Sequence, residues 1–598
     1  MKAFYSLIIA TFLIIGSCKV KIDKPVSDQY NGKNSQKLII YQLLPRLFGN
    51  QNTTNKFYGT KIENGVGKFN DINDNALQEL KKLGISHVWY TGIIEHATMT
   101  DYSTFGIKSD DPDIVKGIAG SPYAIKDYYD VDPDLAVEVK NRIAEFENLV
   151  KRTHDNGLKL IIDFIPNHVS RTYQSDAKPA GVKDFGEDDD KTKAFSPTND
   201  FYYIPNQKMI VPAGYIAGGI GFKSKLKDGF FDENPAKVTG NNVFKADPSL
   251  DDWFETIKLN YGLDIQNNKN YLEPIPPVWI KTRDILIYWA KKGVDGFRCD
   301  VAEFAPVEFW TWVIPEIKKV NPNIVFIAEA YDPSKFETFI NKGKFDFLYD
   351  KVGLYDGLKR LIRDEANADI KDIQHVVNKE SLNIPNHMLR FLENHDEERI
   401  ASKGFAKEAR FAKPAMIISA TLSGGPVMIY MGQEVGEPGA GIEGFGGDDN
   451  RTTIFDYWGV PNHQKWMNKG AFDGALLNQQ ETELRNFYKK LLNFSGTNEA
   501  IKFGKFIELN SMIENQNLFN KKVYAFVRFN QKQKVIVVAN FDRNQTFESK
   551  IQLPKEFINR QGSLKITNIL TGEKLNVNNL ADGLMVKVAP SDAWILSF

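Results

Sequence analysis

The chain has 598 residues, 42% of them hydrophobic, which is enough for one large core with one or two smaller modules. Lysine and arginine number 75 against 76 acidic residues, so the net charge of -1 argues against a protein that binds nucleic acid through its phosphates. With only two cysteines, Cys18 and Cys299, the chain cannot form a cysteine-based metal cluster.

The first residues predict export. An apolar run after Lys2 is too short to span a membrane comfortably, and it ends in IGSC (15–18), which resembles the bacterial lipobox. We expect a lipoprotein signal peptide over 1–17, a lipid on Cys18 and a polar tether over 18–36. The protein would then be an exported lipoprotein, periplasmic or attached to the outer membrane. The alternative is a buried N-terminal helix.

From residue 37 onward, short β-rich apolar runs alternate with longer segments of helical period, a pattern typical of βα units around a parallel sheet. Eight strands are predicted, the number found in a closed (β/α)8 TIM barrel. The strands fall within 38–48, 86–91, 158–165, 294–298, 324–329, 345–349, 388–393 and 426–431. The clearest helices between them are predicted at 135–156, 278–292, 306–320 and 407–422.

Two segments depart from this alternation. More than a hundred residues separate the third and fourth strands, too many for a βα loop, so we expect an inserted subdomain over about 169–276. The catalytic barrel as a whole would occupy 37–502. Over 503–598 the pattern changes to alternating strands such as KKVYAFVRF (521–529), which predict an antiparallel β-sandwich.

Acidic and histidine side chains close several predicted barrel strands. They occur in DFIPNH (163–168), GFRCD (296–300), FIAEA (326–330) and FLENHDEER (391–399). A single carboxylate at a strand end is usually a helix cap or an ion partner. In a (β/α)8 barrel, however, the carboxyl ends of all strands meet at one rim, so Asp300, Glu329 and Asp396 should converge there. Two such carboxylates are what hydrolysis of a glycosidic bond requires.

The four segments resemble, in the same order and on the same strands, the signature regions of the alpha-amylase family, glycoside hydrolase family 13. GGPVMIYMGQEVGE (424–437) is similar to a further family segment. The resemblance implies that Asp300 is the nucleophile, Glu329 the proton donor and later base, and Asp396 a group that holds sugar hydroxyls. Arg298, two residues before Asp300 on the same strand face, would keep Asp300 ionised, or would be an ion pair inside the barrel.

The resemblance also implies substrate contacts at the rim. His168 and His395 would donate hydrogen bonds to sugar hydroxyls near the cleaved bond. In SPYAIKDYYDV (121–131), Tyr123 would stack on the sugar before the cleavage point, and Asp127 matches a structural acid. Tyr123 could instead simply pack in its loop, because Ser121 replaces the histidine of many relatives.

Many relatives bind calcium between the barrel and the inserted subdomain. The resemblance implies Asn167 and Asp264 as calcium ligands here, and no organic cofactor. The histidine whose backbone carbonyl completes the site in those relatives is Phe304 in this chain, although a carbonyl ligand can come from any residue. Glu303 and Phe304 also stand where relatives often carry lysine and histidine on the leaving-group side.

Together these features predict a retaining glycoside hydrolase that cleaves α-glucosidic bonds, α-1,4 above all, in starch-type glucans or maltooligosaccharides by double displacement. For this reaction Glu329 must be protonated while Asp300 is ionised. A transglycosylase or a hydrolase of short α-glucosides would carry the same motifs. A non-catalytic glycan-binding lipoprotein that keeps the barrel as a scaffold is the third alternative.

Overall fold

The structure, a computed structural model, describes residues 37–598 except 443, 446, 514–520 and 559–562. The predicted signal peptide, Cys18 and the tether lie outside the described residues. Within the part of the chain that is described, no helix combines the length and the apolar character needed to cross a bilayer.

Eight parallel strands form one sheet, in which each strand pairs with the next along the chain and β1 also pairs with β8. A bridge between Arg390, at the end of β7, and Val427 closes the ring. The predicted barrel is therefore confirmed. The strands are β1 Ile39–Leu43, β2 His87–Tyr90, β3 Lys159–Phe164, β4 Gly296–Cys299, β5 Val325–Ala328, β6 Phe347–Tyr349, β7 Met388–Leu389 and β8 Val427–Tyr430.

At least one helix follows each barrel strand. The longest helix after each strand is, in chain order, α1 Asp74–Leu83, α2 Arg142–Asp155, α3 Pro277–Lys291, α4 Val307–Val320, α5 Phe336–Asn341, α6 Asp356–Arg363, α7 Lys413–Thr421 and α8 Gln479–Thr497. Strands covered by helices on the outside and packed against side chains inside are buried on both faces, which explains their continuous apolar sequences. In β1, for example, all five residues are buried.

Two helices begin later than predicted. Helix α2 was expected from residue 135, but Pro133–Leu135 forms a separate 3-10 turn. The carboxylate of Glu145 then accepts hydrogen bonds from the amides of residues 137 and 138, which holds the chain outside the helix. Helix α7 was expected from Lys407, which instead has a positive φ of 69°, a conformation that an α-helix does not contain.

The insertion after β3 is tied to the barrel rim by its own short strands. His168–Ser170 pairs antiparallel with Thr256–Lys258, which brings the end of the insertion back to its beginning. Two further strand pairs are Tyr203–Ile204 with Ala236–Lys237 and Leu263–Asp264 with Lys269–Asn270. A second excursion, between β2 and α2, contains a hairpin of Ile94–His96 and Ile125–Val131.

The C-terminal segment forms two antiparallel sheets that share an apolar core. Its strands are β9 Lys505–Glu508, β10 Val523–Phe529, β11 Lys534–Asn540, β12 Phe547–Ile551, β13 Leu564–Asn568, β14 Lys574–Val577, β15 Leu584–Val588 and β16 Asp592–Ser597. The larger sheet has the order β9-β10-β11-β16-β13-β14, and β12 pairs with β15. This arrangement confirms the predicted sandwich.

Candidate active site

A single buried guanidinium lies at the centre of the barrel rim. Arg298, on β4, is fully buried, and its Nη1 donates to Asp300 Oδ1 at 2.8 Å and to Asp163 Oδ1 at 3.1 Å. Its Nη2 lies 2.9 Å from Glu329 Oε2, and its Nε donates to the Tyr349 hydroxyl at 3.2 Å. Four neighbouring strands, β3 to β6, therefore deliver polar groups to one cation.

Asp300 immediately follows β4 and has only 8% of its surface exposed. Burial, followed by the negative charge of Glu329, raises the pKa of the Asp300 carboxyl well above its usual range, and Arg298 offsets this only in part. Arg298 was expected to keep Asp300 ionised or to form an ion pair inside the barrel, and its guanidinium contacts Glu329 as well as Asp300.

Glu329, just after β5, has a hydrogen-bond partner on each oxygen. Oε2 accepts from the backbone N–H of Val301 at 2.6 Å, and Oε1 accepts from the Tyr331 hydroxyl at 2.5 Å. Val301 has φ 35° and ψ 49°, a left-handed conformation that is unfavourable for a β-branched residue. Glu303 positions Tyr331 by accepting its backbone N–H at 2.8 Å. The unfavourable backbone conformation of Val301 thus directs its N–H to Glu329, the proposed acid/base.

His395 and Tyr123 form a second polar group beside the carboxylates. Gln42 donates to His395 Nδ1 at 2.8 Å, so the proton of a neutral His395 ring lies on Nε2. Nε2 is 2.5 Å from the Tyr123 hydroxyl and 3.0 Å from Asp396 Oδ2. The Tyr123 and His395 rings stack with centroids 5.1 Å apart. Half-buried Asp396 therefore stands at the edge of the same cluster.

His168 is buried near the start of the insertion. Its ring lies 5.2 Å from the Trp253 ring, and its Nδ1 is 3.0 Å from the amide nitrogen of Asn167. Burial, reinforced by the charge of Lys258, lowers the pKa of His168 to about 3. A neutral imidazole suits the predicted role of hydrogen-bonding to sugar hydroxyls, which stays a prediction.

Asp127 lies in the hairpin after β2 and has four donors. Its Oδ1 accepts from the Ser175 hydroxyl and the backbone N–H of Tyr129, at 2.6 and 2.7 Å. Its Oδ2 accepts from the backbone N–H groups of Asp176 and Ala177, at 2.9 and 3.0 Å. These bonds join the hairpin to the insertion, which agrees with a structural rather than a chemical role.

The residues expected to hold calcium do not fit that ion. The side-chain nitrogen of Lys258 donates a hydrogen bond to Asn167 Oδ1, the oxygen that calcium would need. The carboxylate of Asp264 is bonded instead by the side chain of Asn267, at 3.0 Å from its Oδ2. Over the described ranges no hydrogen bond links Asn167 to Asp264.

Three residues of the site were not singled out from the sequence. Asp163 faces Arg298 across paired strands, since Arg298 is in register with Asp163 on β3. Its other oxygen accepts from Trp89 Nε1 at 2.8 Å. Asp163 begins the motif DFIPNH, and Tyr349 ends a strand run, so strand-end position could have indicated both. Nothing in the sequence indicates that the Tyr331 hydroxyl reaches Glu329.

Comparison with known families places this site in context. The family model described as the alpha-amylase catalytic domain matches residues 42–503, more than half of the chain. The chain belongs to the alpha-amylase family. This member is accordingly an enzyme of the glycoside hydrolase class. Three of the four motif segments lie at the ends of strands β3, β4 and β5, and the fourth follows β7.

Individual relatives of this alpha-amylase family member are distant in sequence. Alpha-amylase 3 of Dictyoglomus thermophilum is 24% identical over 453 residues, which cover 70% of this chain and 74% of the relative. A cyclomaltodextrinase of Thermoanaerobacter pseudethanolicus is 24% identical, with coverage of 85% and 70%. The crystal structure of a noncanonic maltogenic alpha-amylase of Thermotoga neapolitana has a TM-score of 0.60 at 19% identity, covering 94% of this chain and 98% of the other.

Proposed function

We propose that the protein is a retaining hydrolase of α-1,4-glucosidic bonds with Asp300 as nucleophile and Glu329 as general acid/base. The observation that carries the proposal is the shared guanidinium of Arg298, 2.8 Å from Asp300 and 2.9 Å from Glu329. It holds the two carboxylates that a retaining mechanism needs at the ends of adjacent strands.

In the first step, Asp300 attacks the anomeric carbon while Glu329 gives its proton to the glycosidic oxygen. The bond to the leaving sugar breaks, and an ester forms between Asp300 and the glycosyl unit. Asp300 thereby loses its negative charge. Arg298 and the N–H of Val301 are then free to stabilise the carboxylate that Glu329 has become.

In the second step, Glu329 takes a proton from water as the water oxygen attacks the same anomeric carbon. The ester bond breaks, Asp300 regains its charge, and Glu329 regains its proton. Two inversions leave the anomer unchanged. His395, Asp396 and Tyr123, which stand together beside the carboxylates, would hold the hydroxyls and the face of the sugar ring during both steps.

We propose starch-type glucans or maltooligosaccharides as substrates. Support comes from the relatives, which include proteins named alpha-amylase, cyclomaltodextrinase and neopullulanase. A relative named cyclomaltodextrin glucanotransferase keeps transglycosylation open as an alternative, in which a sugar hydroxyl replaces water in the second step. A non-catalytic glycan-binding role is disfavoured by the complete Asp300, Glu329 and Arg298 cluster.

Product analysis tests the reaction and the substrate together. The purified protein should be incubated with starch, pullulan, cyclodextrin, maltotriose and trehalose, and the initial anomer should be followed by proton NMR. We expect α-anomeric products from starch and maltotriose. A β-anomer as the first product would contradict the ester intermediate, and products longer than the maltotriose supplied would favour the transglycosylase.

We also propose export and lipid attachment at Cys18, on the strength of IGSC (15–18) after the apolar run. Such an anchor would keep the enzyme at the membrane. Metabolic labelling with a radioactive fatty acid in a bacterial host should label the wild-type chain and leave Cys18→Ser unlabelled. Equal labelling of the two proteins would contradict the assignment.

A further inference from the structure

The junction between the barrel and the insertion contains a buried lysine that the proposed reaction does not use. Lys258 lies on the insertion strand Thr256–Lys258, directly opposite His168, and only 3% of its surface is exposed. In the described part of the chain no carboxylate forms an ion pair with it. A lysine buried in this way requires other groups to compensate its lost hydration.

Two groups from the barrel rim meet the lysine nitrogen. Asn167, after β3, accepts a hydrogen bond from Nζ through its Oδ1. The ring of Phe304, in the short helical turn that follows the Asp300 loop, lies with its centroid 4.8 Å from Nζ, which is within the range of a cation–π contact. A single insertion side chain therefore joins two separate rim loops.

These contacts leave Asn167 with no free oxygen for a metal. Its Nδ2 donates to the carbonyl of Gly240 at 2.9 Å, which fixes the orientation of the amide and turns Oδ1 toward Lys258. Its backbone carbonyl accepts from the N–H of Leu259 at 3.0 Å. A calcium ion on Oδ1 would have to displace the lysine nitrogen, which no nearby carboxylate would then compensate.

We propose that the side-chain nitrogen of Lys258 takes the place of a metal ion at this junction, so that the insertion strand is joined to Asn167 without calcium. A metal ion bound here would link an insertion strand to Asn167 through a positive charge. The lysine side chain makes the same link through its nitrogen. Phe304 fits this arrangement because an aromatic face attracts an alkylammonium group but offers no ligand atom to calcium. The inference does not depend on the substrate or on the reaction.

Calcium-dependent stability tests the proposal. The melting temperature Tm of the metal-stripped full chain should be measured with EDTA and with calcium, for the wild type and for Asn167→Ala. We expect the same calcium-induced change in Tm for both proteins, because Asn167 binds no calcium. A larger increase in the wild type than in Asn167→Ala would overturn the proposal.

Removing the lysine nitrogen tests the link itself. Lys258→Met keeps most of the alkyl stem but cannot donate to Asn167, so its Tm in EDTA should fall below that of the wild type. Lys292→Met is the matched control, since Lys292 also lies over a ring, that of Tyr288 at 4.9 Å, but pairs with Glu147 away from the junction. A fall in Lys258→Met no larger than in the control would show that the lysine nitrogen does not hold the insertion strand.

A crystal structure of the wild-type chain grown with calcium needs no variant. We expect the nitrogen of Lys258 within hydrogen-bonding distance of Asn167 Oδ1. Calcium bound to Asn167 Oδ1, with the lysine displaced, would overturn the proposal.

Discussion

Arg298 and Lys258 are both buried cations at the barrel rim, yet their surroundings differ. Arg298 lies among three carboxylates, and although burial acts to lower its pKa, Glu329 and the other anionic neighbours raise it above the ordinary value. Lys258 meets an amide oxygen and a ring, and burial lowers its pKa to about 7. The Arg298 cluster thus pairs its cation with carboxylates, whereas Lys258 contacts an uncharged amide and an aromatic ring.

The largest effect is expected from removing the proposed nucleophile. Asp300→Asn should lower kcat by at least about 10⁴-fold, because no carboxylate remains to attack the anomeric carbon. Asp295→Asn, at the opposite end of β4, removes a carboxylate that bonds the N–H of Leu160 and should retain activity. Comparable activity in the two variants, measured on a maltooligosaccharide, would contradict the assignment.

The same variant makes a prediction about stability. The pKa of Asp300 is raised in the folded protein, so the folded state binds more protons than the unfolded state between the usual and the raised pKa. Stability contributed by this residue therefore falls as pH rises through that interval and stays low at neutral pH. Asp300→Asn removes the penalty, so its free energy of unfolding at pH 7, from denaturant titration, should not fall below that of the wild type.

Arg298→Lys tests whether a positive charge without the shape of the guanidinium is sufficient for activity. One ammonium group cannot reproduce the fork that contacts Asp300, Asp163 and Glu329, so we expect kcat to fall by about 10²-fold. Arg390→Lys is the control, since Arg390 is equally buried but contacts Asp350 at 3.1 Å. It should lose stability and keep kcat, and a wild-type kcat for Arg298→Lys would refute the shared-guanidinium account.

Tyr331→Phe should have a smaller effect. The Tyr331 hydroxyl donates to Glu329 at 2.5 Å and so helps to hold that carboxyl in place. We expect kcat to fall about tenfold with KM little changed, because the carboxyl loses this partner but keeps Arg298 and the N–H of Val301. Tyr355→Phe, which removes a donor to Glu397 instead, should keep the wild-type kcat. A wild-type kcat for Tyr331→Phe would show that the hydroxyl does not position Glu329.

The smallest effect is expected in the pH profile of the wild-type enzyme. Because the pKa of Asp300 is raised by burial and by Glu329, the nucleophile of the free enzyme becomes protonated at a higher pH than an ordinary aspartate. The acid limb of kcat/KM should therefore be centred above 3.8, the usual aspartate value. A limb at or below that value would indicate that Arg298 outweighs both effects.

The barrel and the convergence of Asp300 and Glu329 at its rim were predictable from the sequence because each depends on local patterns. Apolar runs mark the strands, and the topology of a (β/α)8 barrel then brings their ends together, which places Asp300 and Glu329 on one rim. The start of α2 was not predictable, since it depends on Glu145 reaching back to two amides. Local helical period cannot reveal such a contact.

The contacts of Lys258 at the junction could not be predicted from the sequence, for a similar reason. Within TIKLN (256–260), Lys258 looks like a solvent-exposed lysine of a polar segment. It becomes buried only because its strand pairs with His168–Ser170 and places it beside Asn167. The replacement of a histidine by Phe304 left calcium binding open, because a carbonyl ligand can come from any residue, and it did not point to Lys258.

The most direct test of the central claim is to trap the glycosyl-enzyme. Glu329→Gln, which lacks the base needed for the second step, should be incubated with a fluorinated α-glucosyl fluoride and digested for mass spectrometry. We predict one glycosyl unit on the peptide that contains Asp300, attached to that side chain. A glycosyl unit on a different residue would contradict the account.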